Sequence, residues 1–145
     1  MTLLLPDINI LLYAFDPASP FHARAIDWLE RALGGSDELG LADIAVLGFV
    51  RTATNRRIFR QPAPVDAALQ FVDAIKSHRR AVRVEPGSSH HGIFSGLCRE
   101  LDLRGDDIPD AYLAAVALDA DATLCSNDRG FSRFAALRWV NPIAP

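Results

Sequence analysis

The chain is predicted to be an α/β domain built on a parallel sheet, and three observations carry that expectation. Short apolar runs suited to strands alternate with helical segments from one end to the other, the pattern of a sheet wound by right-handed crossovers. No internal repeat, linker or shift in composition divides the chain, so residues 1–145 read as a single domain. Half of the 145 residues are hydrophobic, enough to bury a shared core.

The elements follow in order. Leu3–Asp7 reads as a first strand. A helix is expected from Ser19, an N-cap with Pro20 behind it, to Leu33, where Gly34 and Gly35 end it. Its apolar residues Phe21, Ala25, Trp28, Leu29, Ala32 and Leu33 share one face at the 3.6-residue period. Gly40–Ala42 is a second short strand, after which Asp43 caps a helix carrying Val46, Leu47, Phe49 and Val50. Beyond Pro62 and Pro64, the stripe Val65, Ala68, Leu69, Val72 and Ile75 marks another helix. The alternating strand Ala81–Val84 follows it and stops at Pro86-Gly87. Ser88 opens a helix to residue 102, Arg104–Pro109 is a loop, and Asp110–Ala120 is apolar nearly all round, as a buried helix must be. Ala122–Cys125 is the next strand, followed by the polar turn Ser126–Gly130, a helical turn at Phe131–Ala135 and a last strand at Arg138–Val140.

Composition excludes several function classes. The 15 basic and 18 acidic residues leave a net charge of −3, far from the footprint of a nonspecific nucleic-acid binder yet too weakly acidic to hold back a polyanion, so bulk charge by itself decides nothing. The longest apolar run, Ala111–Leu118, has eight residues against the roughly 18 a membrane span needs. Leu3-Leu4-Leu5 is cut off by Pro6-Asp7 with no basic segment before it, so no secretory leader is expected and the cytoplasm is the expected compartment. Cys98 and Cys125 lack metal-binding spacing and suit a reducing environment as free thiols. His90 and His91 are adjacent, so they cannot share a helix face as ligands.

Ligands of open parallel sheets sit beyond the carboxyl ends of the strands, which directs attention to the polar residues there. Asp7 closes the first strand, Asp128 follows the strand Ala122–Cys125, and Asp110 opens the buried helix that feeds that strand. They converge if the two strands are neighbours. Taken singly, Asp7 can cap a helix, Asp110 can favour a helix N-terminus and Asp128 can form an Asx turn. Together, three nearby carboxylates repel one another unless a cation intervenes. Oxygen ligands without histidine or thiolate select a hard ion, Mg²⁺ or its substitute Mn²⁺, and that chemistry belongs to phosphate esters.

Leu5-Pro6-Asp7-Ile8-Asn9, Asp110-Ala111-Tyr112-Leu113-Ala114-Ala115 and Ser126-Asn127-Asp128-Arg129-Gly130-Phe131 together resemble a PIN domain, most closely the VapC-type toxins of bacterial toxin–antitoxin pairs. Leu11–Ala14, His22-Ala23 and Gly48–Asn55 extend the resemblance over essentially the whole chain. It implies a three-layer sandwich with a mainly parallel five-stranded sheet, divalent-metal-dependent endoribonuclease activity leaving a 5′-phosphate and a 3′-hydroxyl, and a cognate antitoxin of the VapB type. A homodimer is also implied. Asp7, Asp110 and Asp128 match the metal-binding and catalytic aspartates of the family, and Asn9 and Ser126 its supporting polar positions. The pattern departs at Gly48, where a glutamate is usual, and at Gly130, where a further acid is absent; this leaves a second metal site short of ligands. Asp43, or Asp106 and Asp107, are the acids that can substitute.

Arginines can contact the RNA phosphates, since their forks match phosphate oxygens. Arg51 lies in the densest cluster, with Arg56, Arg57 and Arg60, and Arg129 stands beside Asp128. Two other readings stay open. An aspartyl-phosphate enzyme wants a second acid two residues after the first and a lysine near the site, where this chain has Asn9 and, in Lys76, a single lysine far from any strand end. A PIN domain that has lost activity along with its glutamate would instead serve as an RNA- or protein-binding module.

Overall fold

A computed structural model describes residues 1–144 of the chain. Five strands form one sheet: β1 (Leu3–Pro6), β2 (Glu38–Ala42), β3 (Ala81–Val84), β4 (Thr123–Cys125) and β5 (Trp139–Val140). Their spatial order is β3-β2-β1-β4-β5, and every pairing among the described residues is parallel rather than mainly so. The chain winds outward from β1 to β3, then returns to place β4 and β5 on the other side of β1. That reversal makes the β1–β4 boundary the topological switch point, where neighbouring strands send their connections apart and leave a crevice at their carboxyl ends. The register aligns Leu4 with Thr123, Leu5 with Leu124 and Pro6 with Cys125.

Six helices flank the sheet: α1 (Ile8–Phe15), α2 (His22–Gly34), α3 (Asp43–Ala53), α4 (Val65–Lys76), α5 (His90–Glu100) and α6 (Asp107–Asp119). A short 3₁₀ turn, Arg129–Arg133, precedes β5. Helix α1 packs on α2 and α3, α3 packs on α4, and α5 packs on α6. The core joins Leu5, Leu39 and Leu124 of the sheet to Ile10 and Leu11 of α1, Phe49 of α3, the alanines of α6, and Phe131 and Phe134. Phe15 meets Phe49 and Phe71 edge to face, and those two are tilted against each other, all at centroid separations of 5.3 Å, which joins α1, α3 and α4.

Sequence and structure differ at several boundaries. Helix α1 was not expected: its run Ile8–Phe15 is apolar except for Asn9 and shows no clear helical stripe, because it is enclosed on most sides. Asp7 is not the last strand residue but the N-cap of α1, its Oδ1 accepting from Ile8 N at 2.7 Å. Ser19 forms a local turn, accepting from Phe21 N, and α2 starts at His22. Asp43 lies inside the first turn of α3, with Ala42 at the cap position. Helix α6 begins at Asp107 rather than Asp110, with Pro109 in its first turn, where a missing N–H removes no helical hydrogen bond. The turn after Asp128 starts two residues before the predicted Phe131.

Candidate active site

The site forms where β1 and β4 end side by side. Asp7 N donates to Cys125 O at 2.9 Å, which continues the ladder one residue past the strands and brings Asp7 beside Ser126. The buried Ser126 hydroxyl donates to Asp7 Oδ2 at 2.7 Å, and its oxygen accepts from Asp128 N at 3.0 Å and from Asn9 Nδ2 at 3.3 Å. One hydroxyl therefore orients one carboxylate, anchors the turn bearing another, and ties α1 to both. Asn9 Oδ1 accepts from Asn127 N at 3.3 Å, while Asn127 reaches Tyr13 and Asn141 with its amide group. Asn9 and Ser126, predicted as supporting polar residues, meet here.

Asp128 turns its Oδ1 back onto Gly130 N at 2.8 Å, the Asx geometry its position suggested, and is itself exposed. Asp110 stands in the first turn of α6, half-buried. With Asp7, Ile8, Ile44, Ala45, Pro109 and Leu113 it lines a cleft of about 50 Å³. Burial pushes the Asp7 carboxyl above the ordinary carboxylate range, against the lowering pull of Ser126 and Ile8 N, and the charges of Asp110 and Asp128 raise it further. Asp110 is likewise raised, first by burial and then by Asp128, while Arg133 pulls it down. The three aspartates thus feel one another's charge across the crevice.

Among the described residues no three acids, histidines or cysteines stand close enough together to grip an ion as they are placed. Each aspartate already has a partner: Asp7 has Ser126 and Ile8 N, Asp128 has Gly130 N, and Asp110 has Arg133, whose Nη2 lies 3.0 Å from Oδ2. The donor set still suits a hard divalent cation, being all carboxylate oxygen with a mutual repulsion that Arg133 relieves only at Asp110.

The acids offered as substitutes behave differently. Asp43 is taken by Arg83 in a two-pronged pair, with Oδ1 to Nε at 2.9 Å and Oδ2 to Nη2 at 2.7 Å, and it faces a different hollow from Asp7 and Asp110. Its carboxyl is held below the ordinary range by that hydrogen bond. Asp107 stays near the site, 3.5 Å from Arg133 Nη2, and Asp106 occupies the cap position of α6 without a side-chain cap bond. At Gly48 a Cβ would overlap Ile8 Cδ1 and lie 3.0 Å from its Cγ1, so the isoleucine fills the space a larger residue would need.

Arg51 and Arg129 are exposed, as are Arg56, Arg57 and Arg60. His90 is buried with its Nε2 against Tyr112 O at 3.0 Å, and Cys125 is buried with its thiol pushed up to about 12 by desolvation. Neither has the exposure of a reactive group. Sequence reasoning missed Arg133 and Ile8, because one arginine among fourteen and one isoleucine in an apolar run carry no local mark of their partners.

The PIN domain family model matches residues 4–137, nearly the whole chain. The chain belongs to the PIN-domain family. Ribonuclease VapC43 of Mycobacterium tuberculosis is 43% identical over 137 residues, covering 94% of this PIN domain and 93% of that protein. Ribonuclease VapC31 of the same species is 38% identical over 136 residues, covering 94% and 96%. Among solved structures, VapBC2 from Rickettsia felis bound to a DNA fragment from its promoter superposes with a TM-score of 0.73 at 17% identity, covering 97% of this chain and 98% of that one. The sarcin-ricin loop cleaving toxin VapC20 of Mycobacterium tuberculosis gives 0.68 at 14% identity, covering 91% and 95%. At such identities the structural likeness shows a shared PIN fold.

Proposed function

We propose that this PIN domain is a metal-dependent endoribonuclease, the toxin of a toxin–antitoxin pair, hydrolysing RNA phosphodiester bonds in the cytoplasm. The observation that supports the reading is that Asp7 and Asp110 line one cleft at the β1–β4 switch point, with Asp128 tied to Asp7 through Ser126. The relatives named as ribonucleases align over nearly the whole chain and support the same substrate class. VapBC complexes among the fold neighbours support a VapB-type antitoxin as partner. Leu47, Val65 and Leu69, left exposed on α3 and α4, suit a second copy of the chain in a homodimer.

Asp7, Asp110 and Asp128 would hold the ion, Mg²⁺ or Mn²⁺. When bound, it supplies Lewis-acid polarisation of a phosphoryl oxygen and lowers the pKa of a coordinated water. The chain itself supplies orientation. Ser126 and Ile8 N fix both oxygens of Asp7, Gly130 N fixes Asp128, and Asn9 holds the two strand ends in register. These groups are set before substrate arrives, so little reorganisation opposes the reaction. Arg51 and Arg129, both exposed, are assigned to the RNA backbone, where contacts add affinity without reading sequence.

Cleavage of end-labelled structured RNA in Mg²⁺, in Mn²⁺ and in EDTA tests this reading. Metal-dependent cuts are expected from the wild type and none from Asp7→Asn, which keeps the size of Asp7 and one of its two accepted hydrogen bonds. Equal cleavage by the variant refutes the assignment. The second reading, a binding module, is favoured by Gly48. A folded, antitoxin-free wild type that binds RNA yet never cuts it would establish that reading instead.

A further inference from the structure

Arg133 ends the 3₁₀ turn five residues after Asp128 and points back into the crevice. Its Nη2 donates to Asp110 Oδ2 at 3.0 Å and stands 3.5 Å from Asp107 Oδ1. The guanidinium carbon lies 4.9 Å from the Phe134 ring centroid, so the side chain is braced on an aromatic face. An arginine whose only task is to neutralise a carboxylate normally spends two parallel N–H groups on it, as Arg83 does on Asp43. Arg133 spends one. Its Nε is buried with no hydrogen-bond partner, and its Nη1 makes no side-chain hydrogen bond among the described residues.

The second observation is the plug at residue 48. Hydrolysis of a phosphodiester develops negative charge on both the attacked phosphoryl group and the leaving oxygen, and sites of this chemistry meet it with two positive centres. Here the position that would carry a further acid is a glycine, and Ile8 occupies the space in front of it. Asp43, the other acid on that helix, is committed to Arg83. On the ribonuclease reading one cation would be held by the three aspartates, and the guanidinium of Arg133, bonded to Asp110 at the edge of the crevice, is a positive charge already beside it.

We propose that Arg133 is this second positive centre: it holds Asp110 through Nη2 and presents Nη1 to a non-bridging oxygen of the scissile RNA phosphate, in the electrostatic place of a second metal ion. The proposal rests on the ribonuclease reading above.

The test pairs Mn²⁺ titration followed by electron paramagnetic resonance with single-turnover cleavage of end-labelled RNA, for the wild type, Arg133→Ala and Arg133→Lys, each checked by thermal melting. One Mn²⁺ per chain is expected in all three, bound at least as tightly by Arg133→Ala, which lacks the competing cation on Asp110. Cleavage is expected to fall about 100-fold in Arg133→Ala. Arg133→Lys is expected to recover part of that loss, since it keeps the charge and loses the fork. Unchanged cleavage by a folded Arg133→Ala overturns the proposal, as does binding of two ions by the wild type. Loss of Mn²⁺ binding in both variants makes Arg133 a scaffold for Asp110 and also overturns it. A wild type that binds no Mn²⁺ and cuts no RNA overturns the ribonuclease reading itself, and the proposal falls with it.

Discussion

At the residue scale, the site is governed by how Ser126 and Arg133 distribute charge among three aspartates. Asp7 is stabilised as a carboxylate by two hydrogen bonds of 2.7 Å, yet burial outweighs them and its proton is held more tightly than in the unfolded chain. The consequence for stability has a definite sign. With a folded-state pKa above the ordinary 3.8, the contribution of Asp7 is fully present below that value and is lost as pH rises through the raised one. In EDTA, the melting temperature of the wild type relative to Asp7→Asn is therefore expected to fall as pH rises above about 4, levelling once Asp7 is ionised. Melting curves of the two proteins across that range check it, and a difference independent of pH contradicts it. The aspartates were legible from their positions after strands, but Arg133 was not, because its partner lies 23 residues earlier, on a different element.

At the scale of elements, the tightest constraint is the crossing of α1 and α3. Ile8, the first residue of α1, lies where a side chain on Gly48 of α3 would begin. The two side chains compete for one space. Gly48→Ala requires the Ile8 Cδ1 methyl, the end of a flexible side chain, to swing aside, so a cost of about 1 kcal/mol from overpacking is expected, offset in part by the better helix propensity of alanine. Adding Ile8→Ala should return most of that loss relative to Ile8→Ala alone, as a double-mutant cycle by urea denaturation would show. Additive effects of the two substitutions would refute the packing account. The sequence exposed the missing acid at Gly48 but not what replaced it, since α1 itself was hidden by its nearly continuous apolar run.

At the scale of the whole molecule, the active crevice exists because β4 inserts beside β1 rather than extending the sheet from β3. Leu124 is central to that insertion, fully buried in register with Leu5 on one side and Trp139 on the other. Leu124→Ala should cost about 2–5 kcal/mol by leaving a cavity in the sheet core. Denaturation curves measure the loss, and a cost below 1 kcal/mol would mean that the strand is held by its backbone ladder alone.

The sequence by itself determined the alternation of strands and helices and the burial of α6, and it placed Asp7 and Ser126 at strand ends that the fold sets side by side. These rest on local properties: periodicity, turn chemistry, and the rule that strands end where polar residues begin. Tertiary structure alone decided which strands are neighbours, that Asp43 belongs to Arg83 and that Arg133 belongs to Asp110. It also decided that Ile8 closes the space before Gly48. Those outcomes depend on contacts between residues 15 to 119 positions apart, and a one-dimensional pattern holds the types of such residues but not the distances between them.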